Sequence, residues 1–261
     1  MQPARSTSTN HDPLRGAGDA QRRADVEMTW DNLLFLHWRV DADAMRALLP
    51  SQLELDLYDS AAWIALVPFQ MRACEFRGVP RLPGTRDFFE CNVRTYVRHA
   101  GKSGVWFFSL DAQTMLPVIG GRQMWNLNYV WSRFDVRRDA GTTDYRLKRR
   151  NVPGLGDGIA AQSHIVWTPG ERLPLATPGS LEHFLTERYW LFTLRARGST
   201  ARVMAGQVEH APWSLRRAAV DRLEDTLIQA SGVRVSGAPL ALASDTLRVR
   251  GYGLIPSVEG S

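Results

Sequence analysis

Polar side chains recur at every second position in the stretch FFECNVRTYV (88–97): Glu90, Asn92, Arg94 and Tyr96. On an extended strand these four share one face, and Phe89, Cys91, Val93, Thr95 and Val97 share the other. A carboxyl group and a guanidinium on one face can do complementary work. The carboxyl can act as a general acid or base, and the guanidinium can hold a carboxylate or enolate-like oxygen by charge-assisted hydrogen bonds. Four residues of strand separate Glu90 from Arg94 by about 13 Å, so they are not automatic ion-pair partners and would suit two anchors for one small molecule. The competing reading is a face open to water or a satisfied structural network, and parity alone leaves both open.

The neighbouring strand bears on that choice. A turn in HAGKSG (99–104) leads to VWFFSLDA (105–112), a hairpin pattern, and VWFFSL is apolar on both faces, as suits a strand covered on both sides. The strand bearing Glu90 is then expected to be central too, with its polar row in an interior or cleft where isolated charge is costly. Pairing Val97 with Val105 would set Arg94 opposite Phe108. A shift of one residue would set Arg94 opposite Ser109 and Asn92 opposite Asp111.

Further elements must carry this hairpin. The apolar run LLFLHWRV (33–40) predicts a strand, followed by a short helix capped by Asp41 and stopped at Pro50. LELDLYD and AAWIALVPFQMRA read as two strands around a turn at Asp59 and Ser60. NYVWSRFDVRR with DYRLKRR, and YWLFTLRAR with ARVMAGQVEH, read as hairpins, and GLGDG (154–158) reads as a loop. Ser180 can cap a helix in LEHFLTER, and LRRAAVDRLEDTLIQAS (215–231) predicts a helix ending at Gly232. The fold class is therefore α+β and β-dominated, with an antiparallel sheet. Residues 1–25 are polar and aperiodic and read as a disordered tail; the folded part is expected to start near Trp30, giving one domain over 26–261.

Composition narrows the function classes. The 261 residues are 44% hydrophobic with a net charge of +5, and basic residues are scattered among acids, so no nucleic-acid partner is expected. RLKRR (146–150) reads as a solvated strand end. The apolar runs are too short to span a bilayer and the N-terminus lacks the core of a secretory signal, so no membrane association and a cytoplasmic location are expected. Cys74 and Cys91 lack metal or disulfide spacing and read as core residues. His183 and Glu187 share a helix face, but no further ligands accompany them, so neither metal nor cofactor is expected. His37 and His210 adjoin tryptophans and read first as core histidines; facing the Glu90 cleft, either would become a candidate acid or base. Ser103 lacks a nucleophile elbow.

The segments WDNLLFLHWRVDADAMRALLPSQLELDLYDSAAWIALVPFQMR, FFECNVRTYVR, GVWFFSLDA, LEHFLTERY and HAPWSL resemble, in that order, the YqjF-like family of domains of unknown function. The family comprises uncharacterised bacterial proteins grouped with the acetoacetate decarboxylase-like superfamily. The resemblance implies a strongly bent antiparallel sheet forming a cone or open barrel around a pocket, with a few flanking helices. In acetoacetate decarboxylases a strand with an essential glutamate precedes a GREIxGxPKK-like segment whose lysine forms a Schiff base with the substrate ketone. Glu90 stands at the matching place. GGRQMWNLNYV (120–130) resembles the second segment and keeps Arg122, but Asn128, Tyr129 and Val130 stand where Pro, Lys and Lys would be. No imine can form without an amine, and Lys102 in a turn and Lys148 among arginines lack the desolvated setting of an amine nucleophile.

These observations lead to one expectation: a pocket for a small anionic or carbonyl-bearing molecule, with Glu90 as acid or base and Arg94, Arg122, Asn92, Trp125, Tyr129 and His37 as ligand-binding residues. The alternative is a non-catalytic binding or assembly protein whose polar interior is purely structural. Self-association into a homo-oligomer is left open.

Overall fold

A computed structural model describes residues 23–80, 84–156, 158–197 and 200–257. The expected tail lies outside these residues as far as residue 22. Order begins earlier than Trp30: the Asp25 N–H donates to the Gly251 carbonyl at 2.9 Å, and β1 (Val26–Asp31) follows directly. β2 (Leu33–Val40) leads into α1 (Ala42–Ala47), where Asp41 accepts from the Ala44 N–H at 2.8 Å and satisfies one orphan donor of the first turn. β3 (Glu54–Leu55) is short, and β4 (Ala62–Phe76) is the longest strand. β5 (Phe88–His99) and β6 (Lys102–Ala112) form the central hairpin, turned by Ala100 and Gly101, both at positive φ as a tight two-residue turn demands.

After α2 (Met115–Met124), β7 (Tyr129–Asp139) and β8 (Thr142–Arg149) form the next hairpin around Ala140 and Gly141. β9 (Gln162–Arg172) precedes α3 (Leu181–Thr186), whose first turn is capped by the Ser180 hydroxyl accepting from the His183 N–H. β10 (Trp190–Arg197), β11 (Thr200–His210), β12 (Leu215–Asp225), α4 (Leu227–Ala230), β13 (Leu240–Ser244) and β14 (Leu247–Pro256) complete the described chain. No helix among the described residues is long and apolar enough to cross a membrane.

All fourteen strands join one sheet, which is mostly antiparallel and branches at β4, β5 and β6, where β5 also pairs with the short β3. The first half of β4 pairs with β2 (Leu66 with Leu36) and its second half with β1 (Met71 with Trp30). β6 in turn pairs in parallel with β10 at Val105 and Trp106, and with β7 at Leu110 to Ala112. The strip β4–β5–β6 therefore belongs to two closed circuits. One runs through β1, β14, β11 and β10; the other runs through β2, β13, β12, β9, β8 and β7. Closure removes exposed sheet edges by bending the sheet back on itself. The resulting ring-like curvature is the bent sheet expected from the resemblance.

The shared strip separates two interiors, so the two parities of β5 have different surroundings. Cys91, Val93 and Val97 enter a close-packed core with Leu34, Leu36, Ile64, Leu66, Tyr145, Ile165 and Trp167, inside the larger circuit. Glu90, Asn92 and Arg94 face the smaller circuit, where a cavity remains.

Four expectations need correction. LELDLYD contributes only the two residues of β3, paired with β5, and a single bridge from Tyr58 to Ala61; the turn at Asp59 and Ser60 is present, both at positive φ. The helix expected over 215–231 is β12 followed by the four residues of α4. Irregularities in its pairing with β9, between Arg216 and Ala218 and between Val220 and Arg222, shift the inward parity twice. Core-packed Ala218, Val220 and Leu223 consequently fall at spacings of two and three, which hides the alternation of a strand. In the central hairpin the first proposed register holds only over Glu90 to Val93 and is lost from Arg94 onward. Val97 pairs with Gly104, and an extra residue in β6, Phe108, sets Val93 opposite Ser109 but Arg94 opposite Phe107. Finally, Arg149 of RLKRR is buried, not solvated.

Candidate functional site

The cavity inside the smaller circuit has a volume of about 380 Å³. Apolar side chains make most of its wall: Phe69 and Met71 from β4, Val105, Phe107 and Leu110 from β6, and Trp213 from the loop before β12. Among the predicted residues, Glu90, Asn92, Arg94, Trp125 and Tyr129 line it. Arg122 and His37 do not.

Glu90 is buried and accepts a hydrogen bond from the Tyr129 hydroxyl at 3.2 Å. Burial pushes its carboxyl from the ordinary 4.5 up to about 8; the Tyr129 bond opposes the rise and the negative charge of Asp111 adds to it. At neutral pH Glu90 is therefore a carboxylic acid with a proton to donate. Tyr129 reaches it because its ring lies on the backbone of α2. A Cβ on Gly121 would stand 2.3 Å from that ring, so only glycine permits the approach. Arg122, in the last turn of α2, donates to the Tyr129 carbonyl at 2.7 Å. It braces the tyrosine from behind and presents no charge to the cavity, since a partner on its own segment captures the guanidinium.

Arg94 is buried, with its Nε lacking any partner and its terminal nitrogen 3.4 Å from the Leu185 carbonyl. Phe35 and Tyr96 lie 5.3 and 6.0 Å from the guanidinium carbon. No carboxylate among the described residues stands within ion-pair distance of it. Burial, and to a smaller degree the charge of Arg188, lower its pKa, yet a guanidinium stays charged across the physiological range. Asn92 Oδ1 is likewise buried without a partner. The cavity thus carries an uncompensated cation, an unpaired acceptor and a neutral acid between apolar walls. This combination can receive an anion and donate a proton to an oxygen.

His37 sits behind this row. Its Nε2 is 2.8 Å from the Tyr96 hydroxyl, which itself donates to the Leu185 carbonyl at 2.9 Å, so His37 is the donor to Tyr96. Burial, reinforced by the positive charge of Arg94, holds the imidazole well below its ordinary pKa and therefore neutral. His37 and Tyr96 together position the Leu185 carbonyl that Arg94 approaches.

Comparison with known proteins identifies the family and the fold. A family model described as "Uncharacterized conserved protein", DUF2071, matches residues 27–248. The chain belongs to the DUF2071 family. It is 38% identical over 208 residues, 80% of this chain and 82% of its counterpart, to the "Uncharacterized protein YqjF" of Bacillus subtilis strain 168. Among solved structures, the enduracididine biosynthesis enzyme MppR complexed with pyruvate is similar at a TM-score of 0.60 and 16% identity, covering 93% of this chain and 94% of that one. The acetoacetate decarboxylase of Legionella pneumophila is similar at a TM-score of 0.56 and 15% identity, covering 92% and 93%. This member of DUF2071 therefore has the acetoacetate decarboxylase-like fold.

One cavity residue of this DUF2071 chain had no signal in its spacing. Arg188 follows the end of α3, donates to the Phe184 carbonyl at 2.6 Å and pairs with Asp56 at 2.6 Å. In LEHFLTERY it is one charged residue among several, and only the long-range approach of Asp56 distinguishes it. His183 and Glu187 of the same segment do not converge on a ligand; Glu187 accepts from the Trp213 backbone N–H and the Tyr189 hydroxyl.

Proposed function

We propose that this chain binds a small carboxylate-bearing molecule in the cavity, with Arg94 as counter-ion and Glu90 as proton donor, and that it does so without imine chemistry. The observation that carries the reading is Arg94: a buried charge with no protein carboxylate against it costs free energy that a ligand carboxylate would recover. Asn92 Oδ1, also unpaired, is an acceptor and calls for a hydrogen-bond donor on the ligand apart from its carboxylate. A purely structural polar interior would instead require these groups to be paired internally. The fold neighbour whose complex contains pyruvate agrees with a carboxylate ligand.

The exclusion of an imine rests on where the two lysines lie. Lys102 places its ammonium 4.3 Å from the centre of the Trp190 ring, Lys148 is exposed on β8, and neither lysine lines the cavity. Tyr129 occupies the segment where the resemblance sets the amine, and a phenol hydrogen-bonded to Glu90 offers acid–base chemistry only.

Calorimetric titration with carboxylic acids and their amides tests the reading. Acids should bind and amides should not, and Arg94→Met should abolish binding while the chain remains folded by circular dichroism. Equal affinity for acid and amide would overturn the carboxylate assignment. A stable adduct after borohydride treatment with a keto acid would overturn the exclusion of an imine.

A further inference from the structure

Glu90, Asn92 and Arg94 form a ladder along one strand, and the ladder has a direction. Val79, Leu116 and Met124 line the cavity while remaining 51%, 45% and 61% exposed, so the opening lies beside them, at the Phe88 end of β5. Arg94 stands at the opposite, closed end, near Val105, Leu191 and Arg188. Glu90 therefore lies nearer the opening. Their backbones are about 13 Å apart, and no ion pair joins the two side chains.

We infer that the ligand is an elongated, mainly apolar carboxylic acid of medium chain length, lying along β5 with its carboxylate at Arg94 and a second oxygen at Glu90. This inference rests on the carboxylate reading above and adds length, polarity and orientation to it. A three- or four-carbon keto acid spans only about 5 Å by bond lengths, well short of the spacing of the two anchors along the strand. A volume of about 380 Å³ is also within the range of sites for larger molecules. Phe107 and Leu110, opposite Arg94 and Asn92 on β6, give the space between the anchors an apolar wall in which Asn92 is the one polar exception, which excludes a ligand polar along its whole length. The exposed Val79, Leu116 and Met124 make the entrance apolar as well, so the same ligand body is accommodated on entry.

Calorimetry on the full chain with acetoacetate, butyrate, octanoate, 8-hydroxyoctanoate and octanol tests this. Octanoate should bind at least about tenfold tighter than butyrate, because each buried methylene adds affinity. The hydroxyl of 8-hydroxyoctanoate should improve binding further in the native chain but not in Glu90→Leu. Acetoacetate or butyrate binding as tightly as octanoate would overturn the elongated ligand and leave the carboxylate reading standing. Octanol binding as tightly as octanoate would overturn both. A hydroxyl preference that survives in Glu90→Leu would overturn the assignment of Glu90 as the second anchor.

Discussion

Arg149 and Arg94 both carry a guanidinium below the surface, at 5% and 9% exposure, but only Arg149 has a carboxylate against it. Arg149 grips Asp111 with two nitrogens, at 2.9 and 3.0 Å, and Asp111 also accepts from Ser132 at 2.7 Å and Ser109 at 3.2 Å. Arg94 has ring contacts, a hydrogen bond to the neutral Tyr96 hydroxyl and one distant carbonyl. The first arrangement meets its desolvation cost within the protein, as a structural charge must. The second leaves the cost uncompensated beside an open volume, which is how a binding site differs from a structural network of the same residue type.

The largest effect should come from breaking the paired member. Asp111→Ala leaves Arg149 buried and alone, and should cost about 3–5 kcal/mol in urea unfolding. Loss of less than about 1 kcal/mol would erase the contrast between the two arginines.

Glu90 sharpens the comparison through pH. Its carboxyl titrates near 4.5 when exposed and at about 8 in the fold, so between these values the folded chain keeps a proton that the unfolded chain has released. This contribution to stability is complete below about 4.5, falls as pH rises and is lost by about 8. Glu90→Gln should remove that slope and raise stability near pH 8 by on the order of a few kcal/mol, read from melting curves across pH. Parallel curves for the two proteins would contradict a buried neutral acid.

Tyr129→Phe is the next smaller change, a loss of about 1 kcal/mol for one hydrogen bond. Because that bond favours the ionised carboxyl, the Glu90 titration followed by carbon NMR should move further upward in the variant. The smallest effect on stability belongs to Arg94→Met, which removes an unpaired charge: the melting temperature should stay level or rise. A loss as large as that of Asp111→Ala would show that Arg94 is structural.

Much of the scaffold was legible because its causes are local. The caps at Asp41 and Ser180, the tight turns at Asp59–Ser60, Ala100–Gly101 and Ala140–Gly141, and three hairpins follow from residue type and alternation. Where strands bulge, alternation misleads. Phe108 displaced the central register, and two irregularities in β12 hid the alternation of a strand. In the site, parity grouped Glu90, Asn92 and Arg94 correctly on one face, while Arg122 was placed by the Tyr129 carbonyl seven residues on and His37 by the Tyr96 hydroxyl far along the chain, partners that alternation does not show.

The sequence by itself determined that β5 has one polar and one apolar face, because side-chain alternation is a property of the extended backbone and needs no neighbours. It also determined that the only two amines on side chains are Lys102 and Lys148. Tertiary structure decided that the polar face meets a cavity and the apolar face a filled core, since that follows from how β4 and β6 divide their partners between two circuits. It likewise decided that Arg149, and not Arg94, would have a carboxylate against it. Asp111 lies 38 residues from Arg149 in the chain, and the pair exists only once β6, β7 and β8 lie side by side.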